Sequence, residues 1–380
     1  MTENKIKYPF LDLGRVNEPF LPAIRRAVER VLADGRYIGG NEVEAFEREL
    51  AAFTGTRHAV GTSNGLDAIR LILRAYMEMG RLKAGDEVIV PSNTFIASVL
   101  PVTDCGLTPR FAEPDPSTHN LDPEAVEAAI GPRTRAVITV HLYGRISYSE
   151  RLAETAKKHG LLLIEDSAQA IGAISAVAGP GGSRRAGALG DAAAFSFYPT
   201  KNTGALGDAG AVTTDDDELA RTVRMLRNYG SERSYHHEMS GLNCRLDSIQ
   251  AAILRERLPM TDAENAARRA TAAVYGSEIR NSHVILPADT GSDCVWHQYV
   301  VRVADRDGFR RFLLDRGVET SVHYPVPPHR QPCYKDYAGL ALPVADRLAS
   351  EVVSLPIAPR CTGTDDAREI AEIINSYRPQ

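Results

Sequence analysis

Leu161-Leu162-Leu163-Ile164-Glu165-Asp166 is a run of four aliphatic residues closed by two acids. An aliphatic run with no polar alternation reads as a strand buried on both faces, the kind found in the middle of a parallel sheet. The segment before it, Ser149 to His159, has helical spacing. Arg135 to Val140, before that, is apolar and β-branched and reads as another strand. The same alternation extends toward the N-terminus. Helices are expected over residues 20–34, Val43 to Phe53, Leu66 to Met79 and Thr94 to Val102, and strands over His58 to Gly61 and Asp86 to Val90. Strands alternating with helices predict an α/β fold with a mostly parallel sheet covered on both faces. Ligands of such sheets sit beyond the carboxyl ends of the strands. Ser63, Asp166 and the loop after Val90 all fall at such ends.

Toward the C-terminus the pattern loosens. Residues 179–190 are glycine-rich and polar, and read as a surface hairpin or loop. Residues 230–245 are polar and irregular. One long helix, Asp247 to Tyr275, is expected to link a large domain (1–248) to a smaller C-terminal α/β domain (249–380) whose last helix is Asp365 to Ser376.

With 380 residues the chain has room for two domains and a core that needs no disulfide or metal. Its 44 basic and 49 acidic residues leave a net charge of -5, with no cationic excess to neutralise a nucleic-acid backbone. The five cysteines are scattered and form no CxxC pair, which speaks against a disulfide framework or a zinc site and for reduced thiols in the cytoplasm. No apolar run is long enough to span a membrane, and the N-terminus lacks a signal-peptide core.

The segment Phe195-Ser-Phe-Tyr-Pro-Thr-Lys201-Asn-Thr-Gly204 carries the sharpest chemistry. A lysine among aromatic, hydroxyl and glycine residues just after a strand is out of place for a solvated cation. Burial lowers an amine's pKa and makes it a better nucleophile toward an aldehyde. Taken alone, the segment reads equally well as a surface turn. Asp166 tips the balance, because a carboxylate closing an apolar strand is costly without a partner. A pyridoxal-phosphate enzyme needs such an acid against the pyridine nitrogen, so that the ring can withdraw electrons from the substrate. Helix capping also explains an aspartate there, but not its company with Lys201. Thr62-Ser63-Asn64-Gly65 opens a helix whose free N–H groups suit a phosphate, although plain capping would select the same residues. Ser196 can add a hydroxyl. Phe95, after Pro91-Ser92-Asn93-Thr94, could stack on a flat ring or sit in the core. His323, Tyr324 and His329 share the stretch His323-Tyr-Pro-Val-Pro-Pro-His329, where prolines stiffen a loop that could meet sugar hydroxyls or a diphosphate. The glycines Gly204, Gly207 and Gly210 have the wrong spacing for a dinucleotide fingerprint.

Four motifs, in this order, make the chain resemble the DegT/DnrJ/EryC1/StrS family of sugar aminotransferases. They are Gly39-Gly40-Asn41-Glu42-Val43-Glu44, Ile164-Glu165-Asp166-Ser167-Ala168-Gln169, Phe195-Ser-Phe-Tyr-Pro-Thr-Lys201-Asn202 and Gly241-Leu-Asn243-Cys-Arg245-Leu-Asp247. The resemblance runs from Pro9-Phe10-Leu11-Asp12-Leu13 to the last helix. It implies a fold-type-I pyridoxal 5'-phosphate enzyme, a homodimer with active sites at the subunit interface. It implies that Lys201 is the Schiff-base lysine, Asp166 the pyridine-nitrogen partner, Gln169 the neighbour of the ring 3-hydroxyl and Phe95 the stacking aromatic. Asn64, Gly65 and Ser196 match phosphate contacts, and Asn243 matches an asparagine that reaches the phosphate from the other subunit.

Two features resemble the branch that makes dTDP-3-amino-3,6-dideoxyhexoses, the FdtB-like group: the stretch His323 to His329 and the longer segment Leu73 to Asp86. One departure is Ile171, where many relatives carry histidine. The implied reaction moves an amino group from L-glutamate, which leaves as 2-oxoglutarate, through pyridoxamine phosphate to a nucleotide-linked 3-keto sugar. A C4 aminotransferase on a 4-keto sugar ranks second, since it shares every cofactor residue. A dehydratase of the family would carry histidine in place of Lys201, and a non-catalytic regulatory member would not need the intact set Lys201, Asp166 and Gln169.

Overall fold

The protein is described by a computed structural model covering residues 6–233, 235–288 and 291–379. Seven strands form the central sheet: β1 (His58–Thr62), β2 (Glu87–Pro91), β3 (Thr108–Ala112), β4 (Thr134–Val140), β5 (Leu162–Asp166), β6 (Ala192–Ser196) and β7 (Gly210–Thr214), in the order β1-β7-β6-β5-β4-β2-β3. The pairs from β3 across β2, β4 and β5 to β6 are parallel, and only β7 runs against its neighbours.

The aliphatic run works as expected because alternate side chains leave a strand on opposite faces. Leu162 and Ile164 join the cluster around the helix Gly65–Glu78. Leu161 and Leu163 join Val126, Leu152 and Ala156, from the helices Pro123–Ala129 and Glu150–His159, on the other face. Each large side chain so buried is worth about 1.5–3 kcal/mol. Gly65–Glu78 is covered nearly all round, which fits its dense apolar sequence.

Register brings the site together. Val140 pairs with Asp166 and Asp166 with Ala194, while Ser196 faces Gly210, which faces Thr62. The carboxyl ends of β1, β4, β5 and β6 therefore lie along one edge.

Several expectations change. The long helix Asp247 to Tyr275 is two helices, Ser248–Arg257 and Thr261–Glu278, separated by the 3-10 turn Leu258–Met260. Pro259 lacks the N–H that a continuous helix requires. The first of the two packs against the helices Leu21–Asp34 and Asn41–Thr54 beside the large sheet. Thr94 to Val102 is a 3-10 turn, Ile96–Ser98, followed by the short helix Leu100–Asp104 with Pro101 in its first turn. Strands β3 and β7 escaped the sequence reading. Thr108-Pro109-Arg110-Phe111-Ala112 carries a proline, which only an edge strand accepts without loss. In the C-terminal part, Tyr299–Arg302 and Val352–Leu355 form a separate antiparallel pair with its own core, including Tyr275, Val301, Phe309, Val353 and Ile370.

Candidate active site

The two acids that close β5 point to opposite faces and have different partners. Asp166 is 6 % exposed. Its Oδ2 accepts from the Ser98 hydroxyl at 2.7 Å and its Oδ1 from the Ala168 N–H at 3.1 Å. Glu165 is fully buried and accepts from His141 Nε2 at 2.8 Å and from the N–H groups of Gly187 (2.9 Å), Leu189 (2.7 Å) and Gly190 (2.9 Å). The Ser147 N–H donates to His141 Nδ1 at 3.0 Å, which leaves the ring proton on Nε2, facing the carboxylate. Glu165 thus stitches the turn at 187–190 to the sheet, and Asp166 is left to face the site.

Lys201 lies in a tight turn after β6. Its N–H donates to Tyr198 O and the Ala205 N–H to Phe197 O, each at 2.8 Å. Gly204 is required there, since a Cβ would fall 2.5 Å from Pro199 O. Burial of the ammonium lowers its pKa to about 8, opposed by the Asp166 carboxylate. Amine and acid therefore lie within electrostatic reach. The next residue, Asn202, pins this turn to the C-terminal part. Its Nδ2 donates to Asn265 Oδ1 (2.8 Å) and Val295 O (3.1 Å), and its Oδ1 pairs with His297 Nδ1 at 3.0 Å. Burial and the charge of Lys201 hold His297 well below its ordinary pKa, hence neutral.

Asn64 and Gly65 meet Ser196 at the other side of this edge. The Asn64 side chain caps its helix through the Asp67 N–H at 2.8 Å, so the capping reading of this turn is realised. Gly65 comes so close to β6 that an added Cβ would lie 2.7 Å from Ser196 Cβ. A side chain there would close the space in front of the helix N-terminus.

Phe95 is 50 % exposed, and its ring centroid is 5.1 Å from that of Tyr324. The Tyr324 hydroxyl accepts from Gln169 Nε2 at 3.0 Å. His323 bonds Ser354 Oγ through Nδ1 at 2.8 Å, and burial with the nearby Lys201 charge pushes its pKa to about 4. Lys201, Asp166, Gln169, Phe95, His323 and Tyr324 thus form one neighbourhood, with Asn64, Gly65 and Ser196 along the same sheet edge.

Two residues are not brought in. His329, expected beside the sugar, has no exposed surface. Its Nε2 pairs with Asp346 at 3.2 Å and its ring packs 6.0 Å from Phe111 on β3. The 3-10 turn Pro328–Arg330 carries it inward, out of reach of a substrate in the site. Asn243 is exposed and, among the described residues, bridges to Asn228. Asn202, His297, Ser98 and Tyr143 escaped the sequence reading. Tyr143 follows the carboxyl end of β4, a position that could have flagged it.

The model of the DegT/DnrJ/EryC1/StrS aminotransferase family matches residues 22–375, so the chain belongs to that family. A dTDP-3-amino-3,6-dideoxy-alpha-D-galactopyranose transaminase of Aneurinibacillus thermoaerophilus is 46% identical over 97% of this chain and 99% of its own. The crystal structure of Streptomyces venezuelae DesV with a ketimine intermediate superposes with a TM-score of 0.91 at 47% identity, covering 97% of both chains. That of NtdA from Bacillus subtilis, with bound pyridoxamine phosphate, gives a TM-score of 0.88 at 32% identity over 98% of this chain and 86% of that one. The fold is the type-I fold of pyridoxal-phosphate enzymes, and that cofactor belongs to the family. The donor set here fits it: a desolvated amine, a held carboxylate and a glycine-lined helix N-terminus.

Proposed function

We propose that the protein transfers an amino group from L-glutamate to C3 of a dTDP-linked 3-keto-6-deoxyhexose, giving a 3-amino sugar and 2-oxoglutarate. The observation that carries the reading is the Lys201 amine, desolvated and within reach of Asp166, beside a loop that presents His323 and Tyr324. The 3-amino sugar in the name of the Aneurinibacillus relative supports C3.

When bound, the cofactor supplies an aldehyde and an electron-withdrawing ring. Lys201 would hold it through its amine, and that desolvated amine is the group placed to take up and return a proton beside it. Asp166, fixed at both oxygens, keeps the pyridine nitrogen protonated. Gln169 and Phe95, both in contact with Tyr324, would flank the ring. Asn64, Gly65 and Ser196 hold the phosphate. His323 and Tyr324 receive the sugar.

The assembly we infer is a homodimer in which Asn243 reaches the phosphate of the neighbouring protomer's site. Exposed apolar residues tied to the segment that follows Asn243 or flanks it support it: Tyr37, Ile38, Leu206 and Tyr229 are each 44–50 % exposed. Ile38 bridges to Asp247, Leu206 bonds Gln250, and Tyr229 bonds Leu242. Clustered exposure of that kind marks an interface. We also read the chain as two domains, 1–248 and 249–380, the second opening with the helix that packs beside the large sheet, working in the cytoplasm. Among the described residues no helix is long and apolar enough to cross a membrane.

The test is an assay of the purified enzyme with glutamate against dTDP-linked 3-keto and 4-keto 6-deoxyhexoses. The 3-keto sugar should be aminated at least tenfold more efficiently. Preference for the 4-keto sugar would overturn the assignment to C3.

A further inference from the structure

Tyr143 closes a ring of hydrogen bonds between the cofactor side and the substrate side of the site. It stands just past β4 with a φ of +60°. Its N–H donates to Gln169 Oε1 at 2.5 Å, its hydroxyl donates to the His323 carbonyl, and Gln169 Nε2 donates to the Tyr324 hydroxyl at 3.0 Å. The 323–324 peptide completes the circuit.

The backbone at this point is fixed. A Cβ on Gly144 would lie 2.9 Å from both Gln169 O and His297 N, so the chain presses on both residues. The Tyr143 ring is 8% exposed and sits edge-on to His119, with centroids 5.7 Å apart. Burial raises its hydroxyl pKa, which keeps it a proton donor at any ordinary pH. Gln169, given both of its partners by this ring, has no freedom to rotate independently of the loop.

We propose that Tyr143 is a positioning residue that couples Gln169 to the His323–Tyr324 segment, setting the loop for the sugar without touching the donor half of the reaction. This rests on the proposed function for the identity of the sugar.

Tyr143→Phe keeps the ring and the N–H bond and removes only the hydroxyl. In the holoenzyme, bleaching of the visible band by glutamate should keep its rate within about twofold. The KM for the dTDP-linked 3-keto sugar should rise roughly tenfold, as expected for one net hydrogen bond. The KM for 2-oxoglutarate as the alternative acceptor should not move. Equal losses with both acceptors, or no loss with either, would overturn the coupling.

A readout without sugar separates this from the proposed function. Amide hydrogen exchange in residues 320–330 should speed up in Tyr143→Phe holoenzyme, and unchanged exchange there refutes the clamp even if the wild type ignores the 3-keto sugar. Should that variant fail to fold, Tyr324→Phe, which opens the same ring at the Gln169 bond, must give the faster exchange.

Discussion

The ends of β5 and β6 and the segment 323–329 meet in one site but are held in different ways. Asp166 is gripped at both oxygens by Ser98 and Ala168, both near the sheet edge. The Lys201 turn is tied by main-chain bonds and by the side chain of Asn202. His323 and Tyr324, by contrast, hang on one side-chain bond at each point: Ser354 to the His323 ring, Tyr143 to the His323 carbonyl and Gln169 to the Tyr324 hydroxyl. Groups proposed to hold a cofactor tolerate little movement, since misplacement by about 1 Å can cost 10²-fold in rate. A loop tied by single bonds can be re-aimed by exchanging one partner, which suits a surface that distinguishes sugars.

The largest effect should follow removal of the amine. Lys201→Ala is expected to lower turnover on the order of 10⁴-fold or more, because covalent attachment and proton transfer are lost together. Circular dichroism should show the fold intact. Residual activity within tenfold of wild type would remove the strand-end half of the comparison.

The neighbouring acids of β5 should separate cleanly. Asp166→Asn preserves shape but not charge, and should slow turnover by about 10²–10³-fold with little change in melting temperature. Glu165→Ala leaves His141 and three buried N–H groups without their acceptor, and should destabilise by about 3–5 kcal/mol. Its effect on kcat should be the smaller of the two. The reverse pattern in melting and kinetics would mean that the roles of the two acids are exchanged.

The smallest effect is in the pH dependence of the cofactor-free protein. The Lys201 pKa is about 8 in the fold, below its ordinary 10.5. Between those values the unfolded chain binds more protons than the folded one, so this group makes stability rise with pH across that window. Below about pH 8 the desolvated charge is a standing penalty. Cofactor-free Lys201→Met should therefore melt higher than cofactor-free wild type at pH 7, with the gap narrowing as pH rises from 8 toward 10.5. A gap that stays constant would place the amine in solvent.

Much of the sheet edge that carries the candidate site was legible because it follows local rules. A buried strand must end somewhere, an acid at its end needs a partner, and a glycine where a helix begins leaves room for an anion. Lys201, Asp166 and Gly65 could be chosen on those grounds, and the ordered motifs added Gln169, Phe95 and Ser196. The stretch around His329 reads as an exposed loop, whereas its burial beside Asp346 and Phe111 depends on residues far away in the chain. Asn202 and His297 are separated by a long stretch of sequence, and nothing local to either announces the bond between them.

By itself the sequence determined the alternation of strand and helix, the buried identity of β5 and the residue types at the carboxyl ends, because periodicity and burial cost act over a few positions. Tertiary structure alone decided which of the paired acids faces the site and how the C-terminal segment is anchored to it. Those outcomes depend on contacts between residues distant in the chain, and no short-range pattern encodes them.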